Sequence, residues 1–153
     1  ATLFDLLTRH ELLRSVINSS PEYDFLICNK KAYLAEDYIY IHQLSLEEYQ
    51  VFDGEAFGHA RFANDPVLND MGQTLFQLHV ITCEQDTSSF ILVGLFNHVI
   101  ADGWSLNLFS SQFMQLYLGE DKPVFANSMK YAEFVANEQG CVANNTNKAF
   151  WLN

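Results

Sequence analysis

One histidine in this chain occupies a position from which it could move a proton. His98 follows a run of apolar residues, Phe90 to Phe96, and stands four residues ahead of an Asp102-Gly103 pair. Imidazole is the only side chain whose unperturbed pKa lies close to neutrality, so a histidine at the exit of a hydrophobic segment is the natural candidate for a general base. A base so positioned contributes typically about 10²–10⁴-fold to a rate. The plainer alternative is a core histidine hydrogen-bonded to backbone. Asp102, across a turn from His98, reads as an organiser of the loop or as the cap of a helix starting at Trp104, bonded toward Ser105. Gly103 would permit a tight turn, and its amide, near a helix N-terminus, could face a developing oxyanion.

These residues need a strand, a tight turn and a helix to hold them. Side chains alternate along a strand, which would put Phe90, Leu92, Gly94, Phe96 and His98 on one face and Asn97 on the other. Gly94 would then leave room beside His98 for another chain or a ligand. The helix from Trp104 to about Leu118 would bury Leu106, Phe109, Phe113, Leu116 and Tyr117, and Gly119 would end it. Upstream, Thr74–Glu84 reads as a strand that turns back through Gln85–Ser88 into the histidine-bearing strand, the two forming the core of a sheet.

The remaining elements follow from the same periods. Thr2 to about Arg14 sets Leu3, Leu6, Leu7 and Leu13 on one helical stripe and gathers Arg9, His10, Glu11 and Arg14 at its end, where cations suit the helix dipole. Short strands are expected at Val16–Ile17 and Asp24–Cys28, and another at Tyr38–His42. Ser45 with Glu48 forms a capping box, after which a polar helix should carry to about Phe62. Further helices are expected at Met129–Asn137 and Lys148–Leu152, with Trp104 and Trp151 in the core. His10, His42, His59 and His79 have no metal-ligand spacing and read as structural or surface, so no metal site is expected.

Two stretches carry a family likeness. The passage NHVIADGWS resembles the HHxxxDG signature of the condensation domains of nonribosomal peptide synthetases, within the chloramphenicol acetyltransferase-like acyltransferase superfamily. Independently, RHELLRS resembles the R-H-E-x-L-R segment that follows the first helix of those domains, and Y-A-E-F followed by F-W resembles the helical tail of their first lobe. The resemblance implies an α/β fold, a chloramphenicol acetyltransferase-like lobe with a mixed β-sheet flanked by helices. It implies that residues 1–153 are the N-terminal lobe of such a domain, lacking the family's first segment and its C-terminal lobe. In that reading His98 is the catalytic histidine, Asp102 pairs with Arg14, and Gly103 shapes the turn. Asn97 stands where the family usually has its first histidine, a change that should touch packing or a hydrogen bond more than the chemistry.

Composition narrows the setting. At 153 residues, 49% of them hydrophobic, the chain has enough apolar surface for one packed domain or one lobe of a larger one. A net charge of −11 argues against nucleic-acid binding, which calls for a basic stripe. Three widely spaced cysteines make neither a disulfide framework nor a zinc site, which fits a reducing, cytoplasmic location. No uncharged run is long enough for a membrane span. The chain opens without Met inside a helical pattern, which predicts a fragment or a cleaved product.

The function implied by the resemblance is acyl transfer. An acyl or peptidyl thioester on a carrier protein would be joined to an amine to form an amide, as in nonribosomal peptide synthesis. No cofactor would be bound directly, the phosphopantetheine arriving with the substrate, and the partners would be the carrier protein and the C-terminal lobe. Two alternatives are an acyl-CoA-dependent O-acyltransferase making esters and a non-catalytic, condensation-like recruitment platform. Epimerisation domains share the signature as well. A site shared between two lobes predicts that this chain alone is inactive.

Overall fold

The computed structural model describes residues 2–18, 26–29, 34–64, 73–86, 88–120, 129–143 and 150. Within them the chain folds as a mixed sheet covered on both faces by helices. Helix α1 (Thr2–Arg9) leads through a 3-10 turn, Glu11–Arg14, into β1 (Ser15–Asn18), which pairs antiparallel with β2 (Leu26–Asn29). The main sheet is built from β3 (Ile39–Leu44), β4 (Phe76–Cys83) and β5 (Phe90–Phe96) in that order. β3 runs parallel to β4, so the chain must cross over between them, and it does so through α2 (Leu46–Gln50) and α3 (Gly54–Asn64). β4 and β5 form the expected hairpin, in a register that sets Phe76 opposite Phe96 and His79 opposite Val93. Helices α4 (Gly103–Tyr117) and α5 (Tyr131–Ala143) complete the described elements.

The two faces of the sheet differ because β4 alternates between two kinds of side chain. Phe76 and Leu78 point toward α1 and α4, where Leu3, Leu6, Leu7, Leu13, Ile100 and Phe113 close over them in one apolar core. Leu3, Leu6 and Leu7 are spaced i, i+3, i+4, so α1 buries a single stripe. Phe76 is fully buried and stacks on Tyr38 and Phe96. Burying a side chain of that size contributes about 1.5–3 kcal/mol. Gln77, His79 and Ile81 point the other way, toward α3, whose Phe57 ring meets His79 and His42 edge-on.

Several local expectations change. β5 is an edge strand among the described residues, and of its side chains only Leu95 is buried; the centre of the sheet is β4. The polar helix expected to carry to Phe62 is two helices, because after the Ser45–Glu48 capping box the chain breaks at Val51–Asp53 and Asp53 recaps it, its Oδ1 accepting from the N–H groups of Glu55 and Ala56. On α4 the buried residues are Gln112 and Phe113, while Leu106 and Tyr117 are exposed. Trp104, expected in the core, is 81% exposed, in the first turn of α4. The space above Gly94 belongs to Phe96, whose ring would lie 2.8 Å from an added Cβ, so the glycine accommodates a neighbour on its own strand rather than a visitor. Trp151, most of the expected 148–152 helix, the first two residues of the expected Asp24–Cys28 strand, and the side chain of Cys28 lie outside the described residues.

Candidate active site

The turn that presents His98 is fastened at both ends. Asn97 N–H donates to Leu75 O at 2.8 Å, the last rung between the hairpin strands. Its side-chain Oδ1 accepts from Val99 N–H (3.0 Å) and its carbonyl from Ile100 N–H (3.1 Å), closing residues 97–100 into a turn. Ile100 then drops into the apolar core, 7% exposed. Between these anchors the chain has left strand geometry, so His98 no longer shares a face with Phe96 by alternation. It rides the crest of the turn, exposed to solvent, and among the described residues no hydrogen bond reaches its ring.

Asp102 starts the helix that follows. Its Oδ1 accepts from Ser105 N–H at 2.8 Å and from the Ser105 hydroxyl at 2.6 Å, the N-cap geometry of α4. Those two donors, hydroxyl first, hold its carboxyl below the usual carboxylate value, and His98 adds a smaller contribution in the same direction. The carboxylate is therefore ionised at neutral pH and spent on the helix. Gly103, the first residue of α4, does not adopt a positive φ, and nothing lies within 4 Å of where its Cβ would be. Its glycine character supplies room beside the helix N-terminus rather than an unusual backbone.

The structure brings His98, Asp102, Gly103 and Asn97 together within one turn, but no ion pair joins Arg14 to Asp102 among the described residues; Arg14 is half-buried and lines a groove with Arg9 and Lys130. The first helical segment is tied to α4 by a different pair. His10 Nε2 lies 2.6 Å from Gln112 Oε1, and because that oxygen can only accept, the ring nitrogen donates. Gln112 is 4% exposed and was not singled out by the sequence. Its signal was a polar side chain inside the buried stripe of Phe109, Phe113 and Leu116. A small apolar pocket of about 170 Å³ opens beside the turn, bounded by Leu12, Leu13, Phe96, Ile100, Trp104 and Ser105.

A second histidine cluster lies on the far face of the sheet. His79 Nε2 is 3.1 Å from Gln77 Oε1, so it donates there, and His79 Nδ1 accepts from His42 Nε2 at 3.0 Å. Burial, and then the nearby Arg61 guanidinium, push the His42 pKa below its ordinary value. His79 is fully buried and stacked on Tyr40. Among the described residues no group of three or more His, Cys, Asp or Glu side chains could hold a metal ion, and no helix is long and apolar enough to cross a membrane.

The sequence profile of the Condensation domain family matches residues 1–153. The chain belongs to the Condensation domain family. No curated protein matches it. Among solved structures, a chain from the enacyloxin polyketide synthase, studied for condensation domain-mediated chain release, superposes with a TM-score of 0.68 at 18% identity, covering 96% of this chain and 28% of that one. The starter condensation domain of the rhizomide synthetase gives a TM-score of 0.68 at 15% identity, covering 99% of this chain and 36% of that one. The epimerization domain from the third module of tyrocidine synthetase B gives 0.64 at 15% identity, covering 95% and 32%. At these identities the likeness establishes the fold, a mixed α/β lobe, and this condensation-family chain spans about a third of the length of the structures it matches.

Proposed function

We propose that this chain is the N-terminal lobe of a condensation-type acyltransferase, and that it supplies the histidine for transfer of a carrier-bound acyl or peptidyl group to an amine. The observation that carries the reading is the exposed His98 ring, held on a doubly anchored turn beside the capped N-terminus of α4. In the proposed step the amine nitrogen attacks the thioester carbonyl while His98 removes its proton. The new C–N bond forms, the C–S bond breaks, and the phosphopantetheine thiolate departs and takes up a proton. The first N–H groups of a helix lack intrahelical acceptors. With Ser105 N–H given to Asp102, the Gly103 N–H is the donor placed to meet negative charge developing on the carbonyl oxygen. The apolar pocket bounded by Leu12, Leu13 and Ile100 suits a short hydrocarbon part of the acyl group.

The test uses the full-length protein with a carrier-bound and a CoA-bound acyl donor. Amide product from the carrier-bound donor, reduced about 10²–10⁴-fold by His98→Ala, is expected. Product formation unchanged by that substitution would move the assignment to a recruitment platform. Turnover of the CoA donor alone, with an alcohol acceptor, would move it to ester formation. Exchange of an α-proton without transfer would move it to epimerisation.

A further inference from the structure

Positive charge is scarce in this protein, and a disproportionate share of it is gathered in one place. The chain has eight Lys and Arg residues and a net charge of −11. Three of the eight, Arg9, Arg14 and Lys130, line a single groove of about 510 Å³ between the end of α1 and the start of α5. Among the described residues one carboxylate shares the groove, that of Glu11, and its Oε1 accepts from Tyr131 N–H at 2.7 Å, capping α5. The cations outnumber it, and the positive end of the thirteen-residue α5 opens on the same space. Beside them stand two stacked rings, Tyr131 and Phe134, with centroids 6.2 Å apart and Phe134 52% exposed.

We propose that this groove is a binding site for a phosphate ester, with Arg9, Arg14 and Lys130 receiving the phosphate oxygens and the Tyr131–Phe134 pair carrying an apolar or planar remainder of the ligand. The chemistry fits on three counts. Guanidinium groups bind phosphate oxygens in pairs, and a lysine adds a mobile point charge. The volume lies in the range of small-molecule sites. An exposed aromatic pair beside a cationic cluster accepts a flat base or an extended chain by stacking. The groove is distinct from the His98 turn, since neither His98 nor its turn lines it, and only the phosphopantetheine outcome rests on the acyl-transfer reading.

Two sources could present such a group, a free nucleotide-like ester or a phosphopantetheine arm borne by a partner. Calorimetric titration of the full-length protein with inorganic phosphate, adenosine 3′,5′-bisphosphate and 4′-phosphopantetheine separates them. Saturable binding of at least one ester is expected, tighter than inorganic phosphate and weakened by added salt. Arg9→Gln and Lys130→Gln, both at exposed positions, should each weaken it about tenfold, the loss of one charge-assisted contact. Phe134→Ser should weaken the ester and leave inorganic phosphate unchanged. Preference for the bisphosphate assigns a free nucleotide-like ligand, and preference for phosphopantetheine assigns the carrier-borne arm. The absence of saturable binding for all three probes, or affinities indifferent to both charge-removing substitutions, overturns the proposal.

Discussion

Two histidines on the same hairpin have opposite surroundings. His79, in the middle of β4, is fully buried, its two ring nitrogens committed to His42 and Gln77 and its face covered by Tyr40. His98, just past the end of β5, is exposed, and its ring is bonded to no described residue. The first imidazole is a structural hydrogen-bonding unit with both ring nitrogens engaged. The second has the access that a proton acceptor needs. The type of residue is the same in both places. What decides its use is whether backbone and neighbours satisfy the ring or only hold its Cα in position.

Measurements that would break this contrast can be ordered by size. The largest loss should come from the wall behind both sites. Phe76→Ala is expected to cost about 3–5 kcal/mol in denaturant-monitored stability, since the ring is fully buried and touches Tyr38, Phe96 and Phe109. His79→Ala should cost about 1–3 kcal/mol for each partner left unsatisfied, His42 and Gln77, with no pH at which the loss disappears.

Acid should act through the same cluster. The folded His42 pKa is depressed, so the unfolded chain, titrating near 6.5, binds the proton first as pH falls. The contribution is fully present above pH 6.5 and is lost as the pH drops below it, and His42→Phe should flatten that part of a stability–pH curve. A wild-type curve already flat between pH 7 and pH 5 would remove His42 from the account. The smallest effect is expected at the open site, where His98→Ala and Trp104→Ala should each change stability by no more than about 0.5 kcal/mol. A loss several times larger at either position would mean that the turn is packed rather than presented.

Much of this was readable from the residues because local rules governed it. The strand–turn–helix around His98, the β4–β5 hairpin, the leucine stripe of α1 and the Ser45–Glu48 box all follow from short-range periodicity and capping, and the structure has each of them. The mixed sheet and the family were legible through two motifs. What was not legible depended on who sits next to whom across long separations. Trp104 and Tyr117 read as core from their apolar character, yet Trp104 is largely exposed and Tyr117 is half exposed, touched only on the sides by Phe90 and Phe113. Strand alternation placed His98 on the Phe96 face, but Asn97 ends the strand one residue earlier by bonding Val99. Gly94 looked like an opening, and its own strand fills it through Phe96. The link between the two motif regions runs through His10 and Gln112, two residues whose partnership no sequence window could display, because 102 positions separate them.

The distance along the chain between α1 and its packing partners also bears on how the protein is made. Leu3, Leu6 and Leu7 leave the ribosome well ahead of the core residues that shelter them, which include Phe76, Ile100 and Phe113. More than a hundred residues must therefore be synthesised before that leucine stripe can leave water for good. Until then the nascent chain exposes an adhesive amphipathic segment, a natural target for chaperones that shield apolar surface and a point at which slow translation would favour aggregation over folding.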